Sequence, residues 1–477
     1  MRSSEDTTCL NREELLVLVA QLQCQITELQ QRLAESTATI EALRAENAQL
    51  QRSTKRQAAP FSKGTRVSKP KRPGRKPGAG TFSFRQTPRP EEITEPPVDV
   101  PVALAACPGC GGKLAEERVD FAYLTDLPPM PRPKVTQYRV WVCRCLSCGQ
   151  RVRGEHPDLA PDQYGATAHR VGKRAMAAAH TLHYQIGVPV RKVPAVLETL
   201  TGLKLTQGAI TQDALRRAQG AVGDAYERLR QAIRGSPAVY TDDTGWRVGG
   251  EVAQLMAFDT DAVTVYQIRP RHRHQEVQEV VPGNYPGVMV TDRGRSYGAR
   301  SFDRVKQQKC LAHIQKGLSD LLEQKKGRAR DLGEGLKTLF ELAMALRQEH
   351  RAAVVADFAD RAAELRFAIG YLLRPRTLKD RDNQRLLKEL GRHYRRGELL
   401  RFLEEPAVEP TNNRAERALR PAVIARKVSQ CSKNDAGAYA FSAFTSVVRT
   451  LAKGGAGSMV ERLYNLFGSA GVQPAPP

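Results

Sequence analysis

The chain has 477 residues, nine cysteines and a formal net charge of +23. That length allows roughly three domains and a sizeable core, and the positive surplus calls for a polyanionic partner, nucleic acid by default. No run of eighteen or more apolar residues occurs, which excludes a membrane-spanning helix, and the polar, acidic opening does not read as a signal peptide. The expected setting is therefore cytoplasmic, where cysteines in C-x-x-C pairs are metal ligands rather than disulfide partners.

Residues 12–51 read as a coiled coil. Leu15, Leu22, Leu29, Leu43 and Leu50 recur at heptad spacing with one break at Ser36. Val19, Ile26, Leu33, Ile40 and Asn47 are offset from them by four. β-Branched residues at a, Leu at d and an Asn at one a position favour a parallel two-stranded coil, so a homodimer or a higher assembly is expected. Residues 52–100 read as a basic Pro/Gly linker, with no acid between Asn47 and Pro90. Its Lys69, Lys71, Arg72, Arg75 and Lys76 could track phosphates, or the segment could be a solvated tether.

Residues 101–155 contain two C-x-x-C pairs, Cys107 with Cys110 and Cys145 with Cys148, each followed by Gly. Four thiolates at such spacing suit a structural, tetrahedral Zn²⁺. A strand is expected over 137–142, in a hairpin between the pairs. Cys143 breaks the pairing and is left out of the ligand set. Residues 160–235 read as helices. One covers 171–184, and a helix-turn-helix-like pair follows over 193–200 and 207–219, with Gly202 at the turn and Thr206 as a cap. Arg216 and Arg217 on its second helix could contact DNA; simple helical packing explains the pattern as well.

The chemistry concentrates in residues 236–450. The strand-like run at Val239 and Tyr240 delivers Asp242, and the run 288–290 delivers Asp292. Between them lie two further strands and a helix expected over 274–281. Glu416 follows on a helix opened by Asn or Thr in Thr411-Asn412-Asn413-Arg414-Ala415-Glu416. Two Asp on neighbouring strands and a Glu on a helix against the same sheet can hold two divalent ions, the arrangement suited to in-line displacement at a phosphodiester. Hard Mg²⁺, with Mn²⁺ as a substitute, prefers such oxygen ligands. Residues 316–405 read as a helical insertion, with helices expected over 332–350, 351–373 and 381–395. Cys310 and His313, one turn apart at its start, lack two further ligands and are expected to be structural. Trp246 is expected in the core. Residues 451–477 read as a closing helix and tail.

Three motifs carry a resemblance: Thr241-Asp242-Asp243-Thr244-Gly245-Trp246; Val290-Thr291-Asp292 with Lys309-Cys310-Leu311-Ala312-His313; and Glu409-Pro410-Thr411-Asn412-Asn413-Arg414-Ala415-Glu416-Arg417-Ala418-Leu419-Arg420-Pro421. Together they resemble bacterial DDE transposases of the insertion sequence 66 family, over nearly the whole chain. The resemblance implies a multidomain α/β protein. Its ribonuclease-H-like catalytic core (236–315 and 406–450) would bind Mg²⁺ through Asp242, Asp292 and Glu416. It would cleave double-stranded DNA at transposon ends and transfer the strands to target DNA in the bacterial nucleoid. Helper proteins are left open. The departures are Asp243, where the family usually has Glu and which is therefore treated as a non-ligand, Arg293-Gly294-Arg295-Ser296-Tyr297 after the second Asp, and Lys316 for the usual Arg. A non-catalytic dimeric zinc-containing DNA-binding regulator derived from a transposase is the alternative, and a ribonuclease H or resolvase-type nuclease a third.

Overall fold

The computed structural model describes residues 12–55 and 87–468, apart from 116, 126–129, 161 and 456. The basic linker residues Lys69, Lys71, Arg72, Arg75 and Lys76 lie outside the described residues. The chain divides into two units, Met1–Thr87 and Pro88–Pro477.

In the first unit the heptad region is one helix, α1 (Arg12–Lys55). Val19, Leu22, Ile26, Leu29, Leu33, Ile40 and Leu43 are all exposed along it. Among the described residues of this unit, the helix has no other element against which to bury that stripe.

The second unit begins with the cysteine pairs. Strands β1 (Val142–Arg144) and β2 (Arg151–Arg153) form a short antiparallel hairpin. It encloses the second C-x-x-C pair instead of filling the gap between the pairs, and the strand expected over 137–142 starts only at Val142. Helices α2 (Lys173–His180), α3 (Val193–Thr201), α4 (Gln207–Ala218) and α5 (Ala221–Arg234) follow. The first expected helix runs on from α2 as a wider π-turn, Thr181–Ile186. The α3–α4 turn is built as the sequence suggests: Gly202 closes α3 in the left-handed region, and the Thr206 side chain accepts from the Ala209 N–H.

A five-stranded mixed sheet comes next, made of β3 (Ala238–Val248), β4 (Glu251–Asp259), β5 (Thr264–Arg269), β6 (Val288–Thr291) and β7 (Lys306–Lys309) in the order β5-β4-β3-β6-β7. β3, β4 and β5 form an antiparallel meander, whereas β6 and β7 add parallel to β3. Gly249 and Gly250 alone link β3 to β4, at φ +59° and +92°. Two consecutive left-handed residues make the tight turn whose twist matches an antiparallel pair, and glycine enters it without steric cost. Helix α6 (His274–Gln278) lies between β5 and β6 and is shorter than the expected 274–281.

After β7 come α7 (Leu311–Gln324), α8 (Asp331–Ala352), α9 (Phe358–Leu372) and α10 (Arg381–Arg395), the helix-rich stretch expected between the second and third acids. Then follow α11 (Asn413–Ser429), α12 (Asp435–Lys453) and α13 (Met459–Gly468). Alternation along the strands sorts these helices into two layers. Val239, Met256, Phe258, Val265 and Met289 point to one face and pack with α5, α12 and α13 through Tyr226, Phe444 and Leu463. Tyr240, Val288 and Val290 point to the other and pack with α7 to α10 through Leu311, Ile314, Leu336 and Leu390. On that second face α11 covers β4 and β5, with Leu419 and Ala422 against Leu255, Ala257 and Tyr266. The architecture is mixed α/β, and the helices before the sheet share its hydrophobic core. Trp246 is buried on the opposite face, among the residues under α11: it is 3% exposed, and its indole N–H donates to Ser432 Oγ at 3.2 Å.

Candidate functional site

Strand register places the two aspartates side by side. Tyr240 is the parallel partner of Val290. Two residues further on, Asp242 and Asp292 leave the pair at the same level, and the two-residue repeat turns both toward the face of Tyr240 and Val290. Asp242 is also the partner of Ala257, whose side chain packs under α11. Glu416, in the first turn of α11, is delivered to this same face.

The charges of Asp292 and Glu416 act on Asp242, although the three carboxylates are not gathered within 4.8 Å of one another as one set of potential ligands. The Asp242 carboxyl is pushed up to about 6, first by burial and then by the negative charges of Asp243, Asp292 and Glu416, against the Asp243 N–H that donates to it at 2.9 Å. A negative charge nearby disfavours the ionisation of a half-buried carboxyl, and a bound cation favours it. One oxygen of Asp292 accepts from the Gly294 N–H at 2.7 Å, which leaves its second oxygen outside that bond. Asp243 turns to His272, with 2.9 Å between Oδ1 and Nδ1, so its carboxylate is engaged away from the other three.

Three residues hold the frame: Asn412, expected only as one candidate cap of α11, and Lys309 and Tyr297, to which the sequence reading gave no role. Asn412 is fully buried; instead of capping α11 with its side chain, it donates from Nδ2 to the Thr241 carbonyl at 2.8 Å. Lys309 is buried behind Asp292, donating to Thr291 Oγ1 at 3.1 Å and to Gln307 Oε1 at 2.7 Å, and burial draws its ammonium down to about 8. The Tyr297 hydroxyl lies 3.3 Å from Thr241 Oγ1 and is held well above its ordinary range by burial. From the insertion, Glu389 accepts from Arg293 at 2.9 Å, fastening the loop after Asp292 to α10.

Cys310 and His313 do find a further potential ligand. Their sulfur and ring nitrogen lie with a Glu416 oxygen within 4.8 Å of one another. His313 Nδ1 is 3.8 Å from Glu416 Oε1. The signal the sequence carries is the C-x-x-H spacing alone; nothing in it tells that the partner stands more than a hundred positions downstream.

The other expected sites fare differently. Each C-x-x-C pair forms its own knuckle: the Gly111 N–H donates to the Cys107 carbonyl and the Gly149 N–H to that of Cys145, both at 2.9 Å. Each knuckle lowers the pKa of its first thiol, chiefly through backbone N–H groups, those of Gly109 for Cys107 and of Cys148 for Cys145. The four sulfurs of Cys107, Cys110, Cys145 and Cys148 are not gathered into one cluster; among the described residues the grouped set of potential ligands is Cys310, His313 and Glu416. Arg216 is 64% exposed although its Nη2 donates to Asp213 Oδ1 at 2.6 Å, whereas Arg217 is only 11% exposed. Arg217 turns inward because Asp213 accepts from its Nε at 2.7 Å and its guanidinium stacks 3.6 Å over Phe467. It braces the helices rather than facing DNA.

Asp242 within β3 and Asp292 just past β6 thus share one face of the sheet with the first turn of α11, an arrangement of acids of the kind that can hold divalent ions. A family model described as Transposase IS66 family matches residues 169–440, more than half of the chain, and spans all three acids. The chain belongs to that family. Membership brings a transposase role in general, that of an enzyme acting on nucleic acid, with DNA as its partner. No curated protein matches the chain. Among the described residues no helix is long and apolar enough to cross a membrane.

Proposed function

We propose that the protein is a DDE transposase that cleaves DNA at the ends of its element and joins them to target DNA, with Asp242, Asp292 and Glu416 as the metal-binding triad. The observation that carries this reading is the raised pKa of Asp242, which registers Asp292 and Glu416 as neighbouring charges although they come from strand and helix elements far apart in the chain. The strand order β5-β4-β3-β6-β7, an antiparallel meander extended by two parallel strands, supports a ribonuclease-H-like core.

A hard divalent pair fits this donor set: carboxylate oxygens only, with the Asp242 carboxyl raised by burial and by its acidic neighbours. When bound, such ions neutralise charge on the phosphate and orient the attacking and leaving oxygens. The chain's own residues do the positioning. Asn412 fixes the start of α11 against β3 and so sets Glu416 against Asp242. The Gly294 N–H holds one oxygen of Asp292. His272 keeps Asp243 aside, which supports treating that acid as a non-ligand. Arg293 and Glu389 pin the loop over which a strand end would lie.

Around this core, α1 would pair two copies through its exposed apolar stripe, a parallel coil by its a and d residues. The knuckles of Cys107, Cys110, Cys145 and Cys148 would close on one structural Zn²⁺. Lys69, Lys71, Arg72, Arg75, Lys76 and Arg216 would supply phosphate contacts. The charges of Asp292 and Glu416 beside Asp242 weigh against a regulator without catalysis.

The test is to incubate the full chain and Mg²⁺ with a plasmid bearing the inverted repeats that flank its gene. Release of 3′-hydroxyl ends at the repeats supports the reading. Binding without any cleavage, in Mg²⁺ or Mn²⁺, leaves the regulator.

A further inference from the structure

Cys310, His313 and Glu416 form a donor set unlike that of the three acids. It offers one sulfur, one imidazole nitrogen and one carboxylate oxygen, all within 4.8 Å of one another. In a tetrahedral zinc site, bonds of about 2.0–2.3 Å put neighbouring ligand atoms roughly 3.3–3.8 Å apart, so small side-chain rotations would close this set around one ion. Three mixed ligands with an open fourth position suit Zn²⁺ and other soft divalent ions, and do not suit Mg²⁺.

The backbone prepares the site. Cys310 follows β7 directly and caps α7, and its N–H donates to the Thr291 carbonyl at 2.8 Å, beside Asp292. The Asn412 N–H donates to Cys310 Sγ at 3.1 Å, so the sulfur faces the start of α11. His313 lies one turn along α7 and is exposed, which gives an ion a way in from solvent. Glu416 lies one turn along α11. Two helix starts thus converge on one point, and the residue they share belongs to the triad.

We propose that Cys310, His313 and Glu416 make a second, thiolate-containing metal site that binds Zn²⁺ and, by engaging Glu416, withdraws it from Asp242 and Asp292. Binding is a ligand exchange in which the Cys310 thiol releases its proton to solvent, bound water leaves the ion, and no redox change occurs. The consequence is a reversible off-state set by free Zn²⁺; this second part rests on the triad reading above.

The test measures Zn²⁺ uptake by the full chain against a chromogenic chelator, for the unsubstituted protein, Cys310→Ser and His313→Ala. The C-x-x-C pairs stay intact in all three and contribute equally. The site predicts about one equivalent per chain fewer in each variant than in the parent. His313 is exposed, so its replacement leaves the core untouched and keeps the test decisive should Cys310→Ser fail to fold. Equal uptake in the parent and His313→Ala overturns the site. DNA cleavage is then followed in excess Mg²⁺, each protein relative to its own rate without Zn²⁺. At about ten times the Zn²⁺ Kd the parent should fall about tenfold and the variants should not. Altered uptake without suppression overturns the withdrawal of Glu416. Absence of Mg²⁺-dependent cleavage in every form defeats the triad reading instead, and uptake still decides the site.

Discussion

Asn412 and Thr241 are joined by one buried hydrogen bond, 2.8 Å from the amide nitrogen to the carbonyl oxygen, between residues 171 positions apart. Thr241 precedes Asp242 on β3, and Asn412 immediately precedes α11, which carries Glu416 in its first turn. The bond therefore ties the strand that carries Asp242 to the helix that carries Glu416. Asn412→Ala should lower the melting temperature, since leaving a buried carbonyl unpaired costs about 1–3 kcal/mol. It should also slow cleavage by about 10- to 100-fold, the usual penalty for displacing a catalytic group by an ångström, while DNA affinity holds. Cleavage within twofold of the parent would show that α11 is placed by its apolar face alone.

The pH dependence of metal binding follows from Asp242. Its carboxyl, raised to about 6 by burial and neighbouring acids, must lose its proton to act as a ligand. For stability the sign is that of a raised group: without divalent ions, the protonated form's contribution is present at low pH and is lost as pH rises through about 6. Added Mg²⁺ should offset that loss. Its apparent affinity should thus rise about tenfold between pH 5 and 7, read as a growing Mg²⁺-induced shift in melting temperature. An equal shift at both pH values would contradict the crowding of these carboxylates.

Asp213 behaves in the opposite sense. Burial works against its charge, but His180, at 2.9 Å, and Arg217 overcome that and hold it below the usual carboxylate range. A depressed acid contributes stability that is present above its unfolded pKa of about 3.9 and is lost as pH falls toward its folded value. Asp213→Asn should cost about 3–5 kcal/mol at neutral pH, because it strands the largely buried Arg217. The variant should also lose less melting temperature than the parent between pH 5 and 3. Parallel curves would mean that Asp213 is not the acid-labile group.

Deleting residues 12–51 should convert a dimer into a smaller species by light scattering, because Val19, Leu22, Ile26 and Leu29 are exposed along α1. An unchanged mass would assign assembly to the second unit. Neutralising Lys69, Lys71, Arg72, Arg75 and Lys76 should flatten the salt dependence of DNA affinity by up to about 4 units in log–log slope. An unaltered slope would make that segment a tether.

Much of the site was legible because its signals are local. Asp242 and Asp292 each end an apolar run, and those runs proved to be adjacent parallel strands. Glu416 was legible from its helix-opening motif. What the sequence hid depends on contacts across the fold. Asn412 reads as a helix cap, yet its amide goes to Thr241, because the α11 terminus is buried against β3. Cys310 and His313 read as an incomplete pair because the group beside them, Glu416, arrives on another helix. Arg217 reads as a free base on a recognition helix. It is consumed by Asp213 on its own turn and by Phe467, which only packing of α4 against the C-terminal helices could reveal.

The most direct measurement is the rate of strand cleavage at the element's end by Asp242→Asn, Asp292→Asn and Glu416→Gln, each in Mg²⁺ with end binding measured on the same samples. These substitutions keep side-chain shape and remove one charge apiece. The account predicts that each variant binds the end with near-parent affinity and loses at least about a thousandfold in cleavage, the scale on which a missing transition-state contact is felt. Any one of the three cutting at near-parent rate would contradict a shared metal site and remove that residue from it.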